Sequence, residues 1–148
     1  MTDVYLSLGS NLGDRHAMLV HAIDLLARQA GRLVRASSFI ETEPWGFSSE
    51  HPFLNAVVML RTQLPPRALL TVTQDIERQL GRTSKSVQRH YADRTIDIDI
   101  LLYGNEKVDE PDLQIPHPLM LERDFVMKPL REIFPEVAPR GIEPLSKV

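Results

Sequence analysis

From Ile96 to Ile100 the chain reads Ile-Asp-Ile-Asp-Ile, and no other stretch leaves the backbone so little choice. Side chains two apart point the same way only in an extended strand. A helix would scatter isoleucines and aspartates around its axis, whereas a strand sorts them onto two faces. The alternation continues to Leu102, so a strand is predicted over Thr95–Tyr103, with Gly104-Asn105 turning the chain. Ile96, Ile98, Ile100 and Leu102 are assigned to the core. Asp97 and Asp99 must then project together from the opposite face, roughly 6.5–7 Å apart at their α-carbons.

A strand with one apolar face needs partners, and the sequence offers them. Val4, Leu6 and Leu8 alternate with Tyr5 and Ser7, which predicts a half-buried strand ending at Gly9. Ser10 to Asp14 supplies turn and capping side chains. Leu19, Ala22, Ile23, Leu26 and Ala30 then fall on one helical face, and Gly31 is the expected stop. Leu33–Thr42 is predicted as a second strand and Phe53–Thr62 as a third, with Pro44-Trp45-Gly46 in the loop between them. Pro65-Pro66 opens a second helix, striped by Leu69, Val72, Ile76 and Leu80 and ended by Gly81. A short amphipathic helix is expected from Phe125 to Phe134. The order β-α-β-β-α-β predicts an α+β, ferredoxin-like domain: an antiparallel sheet with two helices on one face, followed by a C-terminal extension. The other face is expected to be free for work.

That fold hosts RNA-binding modules, ligand sensors and enzymes, so the chemistry must come from side chains. The chain contains no cysteine. Thiol catalysis, disulfides and cysteine-held metals are therefore excluded. The 148 residues read as a single domain, 1–148, with no apolar run near the roughly 20 residues that cross a bilayer and no signal-peptide pattern. We expect a cytoplasmic monomer with no nucleic-acid or membrane partner.

Net charge is only −3, but it is unevenly spread. Residues 78–94 hold Arg78, Arg82, Lys85, Arg89 and Arg94 against one anion, Asp93, for a local net of +4. Paired carboxylates repel unless a cation sits between them, and hard oxygen ligands on a rigid strand suit Mg²⁺. Cations beside such a pair are what a polyphosphate requires. The plainer readings are a charged strand edge and a solvated loop; their adjacency favours a phosphate site. No P-loop or GxGxxG pattern is present, so side chains and metal must hold the phosphate. His117, fixed between Pro116 and Pro118, is either a structural turn histidine or a phosphate donor. Trp45, Phe53, Asn55 and Phe125 could line a slot for a flat heteroaromatic ring, although phenylalanines at such positions more often belong to a core.

Taken together the segments resemble the 6-hydroxymethyl-7,8-dihydropterin pyrophosphokinase family. The resemblance rests on Tyr5-Leu-Ser-Leu-Gly-Ser-Asn-Leu-Gly-Asp14, Phe39 to Thr42 with Pro44 and Gly46, and Phe53-Leu54-Asn55-Ala56. It continues through Gln74-Asp75-Ile76-Glu77, Gly81-Arg82, Arg94-Thr-Ile-Asp-Ile-Asp-Ile-Leu-Leu-Tyr-Gly104, Pro116-His117-Pro118 and Arg123-Asp124-Phe125-Val126. It implies transfer of pyrophosphate from ATP to the pterin hydroxymethyl oxygen, with AMP released, in folate biosynthesis. Asp97 and Asp99 would hold two Mg²⁺ ions, with Arg82 and Arg94 completing the catalytic group.

The resemblance further implies an ATP site of Gln74, Arg82, Lys85, Tyr91, Arg94, Ile100, His117 and Arg123. Glu77 would hold the basic segment through ionic contacts. The pterin site would comprise Thr42, Pro44, Trp45, Gly46, Phe53, Asn55, Tyr91 and Phe125. Phe53 and Phe125 would sandwich the ring while Asn55 reads its edge. Residues 82–93 would close over both substrates. Where a common family form has Trp-Gly-Pro, this chain has Tyr91-Ala92-Asp93, and Ser84 stands where many members have arginine. Two other classes compete: a ferredoxin-like RNA-binding module, and a metal-dependent phosphodiesterase using the same carboxylates.

Overall fold

Three of the expected strands meet in one antiparallel sheet, and their register decides where the site lies. A computed structural model describes residues 1–42, 52–81 and 96–134. Strand β1 (Thr2–Ser10) lies between β4 (Phe53–Thr62) and β5 (Asp97–Tyr103). The sheet order is β2-β4-β1-β5, with β2 spanning Arg32–Ala36 and β3 (Ile40–Thr42) also pairing β4. Helices α1 (Arg15–Gln29) and α2 (Pro66–Gln79) cover one face. Leu19, Ala22 and Leu26 of α1 and Leu69 and Ile76 of α2 bury there against Val4, Leu6, Leu8, Ala56, Val58, Leu60, Ile98 and Ile100. This is the expected ferredoxin-like arrangement. Among the described residues no helix is long and apolar enough to cross a membrane.

Local chemistry sets the helix starts. The Asp14 carboxylate accepts from Ala17 N at 3.1 Å, satisfying a first-turn donor of α1. Pro66 occupies the first position of α2, where its missing donor costs little. At Gly31 the reason for glycine is close approach rather than a left-handed cap. A Cβ there would come within 3.0 Å of two main-chain carbons, Arg61 C and Thr62 Cα.

Four expectations need correction. The strand expected over Leu33–Thr42 is two strands, because Ser37 interrupts it. Its Oγ accepts from Val57 N at 2.9 Å, standing in for a main-chain carbonyl, and the chain steps out before β3 resumes the pairing. Leu102 does not join the isoleucines. The β1–β5 register shifts between Tyr5 and Leu6, so Leu101 and Leu102 both turn to the opposite face. Strand β1 is buried on both faces from Val4 to Ser10, being central.

The fourth correction concerns the supposedly free face. Beyond β5, the chain forms a hairpin of β6 (Val108–Glu110) and β7 (Leu113–Ile115), a 3₁₀ turn at Met120–Glu122, and helix α3 (Asp124–Ile133). Val126, Met127, Leu130 and Ile133 of α3 bury against Tyr5, Val57, Met59, Leu101 and Leu102. Part of the second face is therefore covered. The ends of β1, β4 and β5 that carry Gly9, Asn55 and Asp97 are left beyond it.

Candidate active site

Register places the chemistry in one row across the sheet. Gly9 pairs with Asp97 on one side and with Asn55 on the other, and Asn55 pairs onward with Ile40. One step along, Ser7 pairs with Asp99 and Val57. Ile98 and Ile100 bury on the α1/α2 side, so Asp97 and Asp99, both half-buried, stand on the other face. Asn55 shares it, because its neighbours Leu54 and Ala56 pack toward α1 and α2. Two strand spacings separate Asn55 from Asp97, about 10 Å.

On the β4 side, the Asn55 amide Nδ2 donates to Thr42 Oγ1 at 2.6 Å. That bond uses the donor end and points the carbonyl Oδ1 toward Gly9. Phe53 stands beside them, half-buried and paired with Thr42. Thr42, Phe53 and Asn55, expected to act together, are therefore in contact.

On the β5 side, Arg123 enters from the start of α3. Its Nη1 lies 4.0 Å from Asp99 Oδ2, with the arginine side chain only 9% exposed. The same guanidinium sits over the Phe125 ring at 5.5 Å from its centroid, within cation–π range. Arg123 thus joins a residue expected to face pterin to one expected to face metal.

His117 is anchored by its own backbone. His117 N donates to Leu101 O at 3.0 Å, a carbonyl at the register shift in β5, and His117 Nδ1 accepts from Leu119 N at 3.3 Å. Burial pushes the imidazole down to about 4, the Arg123 charge adds to the effect, and Asp97 opposes it. The ring is neutral at pH 7, and with Nδ1 accepting from Leu119 N its proton belongs on Nε2. Unfolded histidine takes up its proton near 6.5, while the folded ring resists until about 4. The stability from this group is therefore complete above pH 6.5 and lost as pH falls toward 4. Denaturant unfolding at pH 7, 5.5 and 4.5 should show that loss in the wild type. His117→Asn, which cannot titrate, should lack this part of the slope.

Two expected contributors lie elsewhere. The Ile100 side chain is in the α1/α2 core. Gln74 is exposed on α2, the helix packed on the opposite face. One turn on, Glu77 is buried and its Oε2 accepts from Ile98 N at 2.7 Å. That bond ties α2 to the strand between the two aspartates, a role the sequence did not suggest. Pro44, Trp45, Gly46, Arg82, Lys85, Tyr91 and Arg94, together with the expected closing segment and the ionic contacts of Glu77 to it, lie outside the described residues.

The two aspartates fit Mg²⁺, which takes one or two protein carboxylates and leaves its other positions to water and phosphate oxygens. No group of three metal-ligating side chains occurs among the described residues. Such ions would take remaining ligands from water and phosphate oxygens.

This geometry accompanies a clear kinship. The family model described as 7,8-dihydro-6-hydroxymethylpterin-pyrophosphokinase (HPPK) matches residues 5–135. The chain belongs to this family. It is 56% identical over 145 residues to a Porphyromonas gingivalis protein named 2-amino-4-hydroxy-6-hydroxymethyldihydropteridine pyrophosphokinase, covering 97% of this chain and 99% of that one. A Bacillus subtilis protein of the same name is 44% identical over 134 residues, 90% of this chain and 78% of the relative.

Among solved structures, the HPPK fold recurs in a crystal structure of HPPK-DHPS in complex with substrates. The TM-score is 0.72 at 17% identity, over 96% of this chain and 42% of that one. A Plasmodium falciparum HPPK-DHPS triple mutant gives 0.74 at 18%, with the same coverage. The chain thus spans about 42% of these longer chains, and at such identities the likeness concerns the fold alone. HPPK membership makes this chain a pyrophosphokinase, a transferase of folate biosynthesis.

One residue beside this candidate site carries no chemical signal of its own in the sequence. Gly9 reads as the end of a strand, yet it forms the floor between Asn55 and Asp97. A Cβ there would meet Asn55 Oδ1 at 2.9 Å and Phe53 Cδ1 at 3.4 Å. The available signal was the run Gly9-Ser10-Asn11-Leu12-Gly13, which a strand-to-helix turn also explains.

Proposed function

We propose that this HPPK transfers pyrophosphate from ATP to the hydroxymethyl oxygen of 6-hydroxymethyl-7,8-dihydropterin, releasing AMP, with two Mg²⁺ ions held by Asp97 and Asp99. The observation that carries this reading is the single row Asp97–Gly9–Asn55. It sets a carboxylate pair about 10 Å from an amide that can read a heterocycle edge.

In the reaction the pterin oxygen attacks the β-phosphorus. The bond from that phosphorus to the α–β bridging oxygen breaks, and AMP leaves with its electron pair. When bound, Mg²⁺ neutralises phosphate charge and aligns the attacking and leaving oxygens. The chain contributes orientation and charge. Asn55, its amide nitrogen committed to Thr42, offers Oδ1 to ring N–H groups. Phe53 and Phe125 supply flat apolar faces for the ring. Arg123 adds a fixed positive charge beside Asp99, and His117 offers an Nε2–H to a phosphate oxygen without adding charge. Arg82, Lys85 and Arg94 would supply further cations to the phosphates. The enzyme would act as a monomer in the cytoplasm.

The test is to incubate protein, Mg²⁺, ATP and 6-hydroxymethyl-7,8-dihydropterin and to follow AMP and pterin diphosphate. Both should form in equal amounts, and AMP formation should require the pterin. AMP formed without pterin, or no turnover by folded protein, would overturn the reading.

A further inference from the structure

The two walls expected to face the pterin come from distant parts of the chain, and a polar clamp far from the site joins them. One wall is the Thr42–Asn55 pair of β3 and β4, and the other is Phe125 in the first turn of α3. Phe125 and Glu132 are seven residues apart on α3. That is nearly two whole turns, so they share one stripe of the helix. Val126, Met127, Leu130 and Ile133 hold α3 on the sheet by apolar burial. That burial sets which face of α3 meets the sheet, but it makes no directional bond to the segment that leads into β3.

Arg123 anchors the Phe125 end through Asp99, and a second set of directional contacts lies at the other end of the helix. Ser38 N donates to Glu132 Oε1 at 2.5 Å, and Ser38 Oγ lies 3.1 Å from Oε1 and 2.9 Å from Oε2. Beside it, Arg35 Nη1 donates to Ile133 O at 2.8 Å. Ser38 sits in the break between β2 and β3, four residues before Thr42. The carboxylate therefore grips the segment that leads into one wall, while its helix carries the other.

We propose that Glu132 is a positioning residue for pterin binding: by holding Ser38 it ties the segment leading into β3 to α3, and so sets the placement of Thr42 and Asn55 relative to Phe125. The inference rests on the reading of Thr42, Asn55 and Phe125 as pterin-facing. Both clamp partners are exposed, so removing the clamp should cost little stability. Its effect should appear in one substrate's binding.

The experiment uses the full chain and measures KM for each substrate with the other saturating, alongside thermal unfolding. Glu132→Ala should raise KM for the pterin about tenfold while KM for ATP and kcat stay within about threefold. Glu132→Gln keeps an acceptor for Ser38 N–H without the charge and should fall between. Ser38→Ala keeps the main-chain donor and should show the smallest change. An unchanged pterin KM in Glu132→Ala overturns the proposal. So does a parallel rise in both KM values with a lowered Tm, which would mark Glu132 as general scaffold. A folded wild type with no pterin-dependent AMP formation overturns the substrate reading itself, and the inference with it. An active wild type with no pterin-selective change overturns the inference alone.

Discussion

Asp97→Ala and Asp99→Ala should each lower the rate of pterin-dependent AMP formation by a factor of about a thousand or more, with the fold retained. The size follows from what the carboxylates face. Both are half-buried on one side of β5, where a polyphosphate would bring several negative charges with little water to screen them. Removing either leaves one carboxylate to organise the cations, and catalysis by positioning loses geometry and charge together. Asn at either position keeps shape without charge and should recover little of the rate.

The two variants should differ in stability. Asp99 lies 4.0 Å from the buried Arg123 guanidinium, so Asp99→Ala takes a carboxylate neighbour from a cation that is only 9% exposed. It should be the less stable of the two, by on the order of 1–2 kcal/mol. Initial rates with both substrates saturating, paired with denaturant unfolding, separate these effects. Retention of activity within tenfold of wild type by either variant would overturn the two-ion assignment.

Features written in local chemistry were legible in the sequence. The alternation from Ile96 to Ile100 declares a strand and its two faces, and Asp14 declares a helix start through its own side chain. Features decided between distant segments were not legible. Leu102 fits the alternation, yet the shift in register against Tyr5 turns it to the other face. Nothing local to residues 100–103 encodes that shift. Ser37 looks like any strand serine until Val57 N bonds its hydroxyl.

The sequence alone leaves the second face open, because the third helix is recognisable as amphipathic and its docking partner is not. The stripe of Val126, Met127, Leu130 and Ile133 says that α3 must bury something; only the fold says that it buries Tyr5, Val57 and Met59. The same holds for Glu77. It is buried, and its Oε2 accepts from Ile98 N on β5, a contact that no local pattern around residue 77 encodes.

Gly9→Ala should be the most selective lesion of the pterin side, raising KM for the pterin by roughly 10–100-fold while ATP binding changes by no more than a few-fold. The added methyl meets Asn55 Oδ1 at 2.9 Å, closer than a real side-chain carbon tolerates, and Phe53 Cδ1 at 3.4 Å. Neither strand can easily withdraw, since β1 is paired on both sides at this point, to Asn55 and to Asp97. Asn55 is 4% exposed and its amide nitrogen is bonded to Thr42 Oγ1. It can escape the methyl only by giving up that bond or by turning Oδ1 away from the ring edge. Either movement removes the reader and leaves the aspartates in place, so kcat at saturating pterin should suffer less than KM. The double variant decides whether Asn55 is the route. In an Asn55→Ala background the clashing oxygen is gone, and Gly9→Ala should add less than about threefold to the pterin KM. If the two effects instead multiply in full, the methyl acts through Phe53 or the metal side, and Asn55 is not what Gly9 protects.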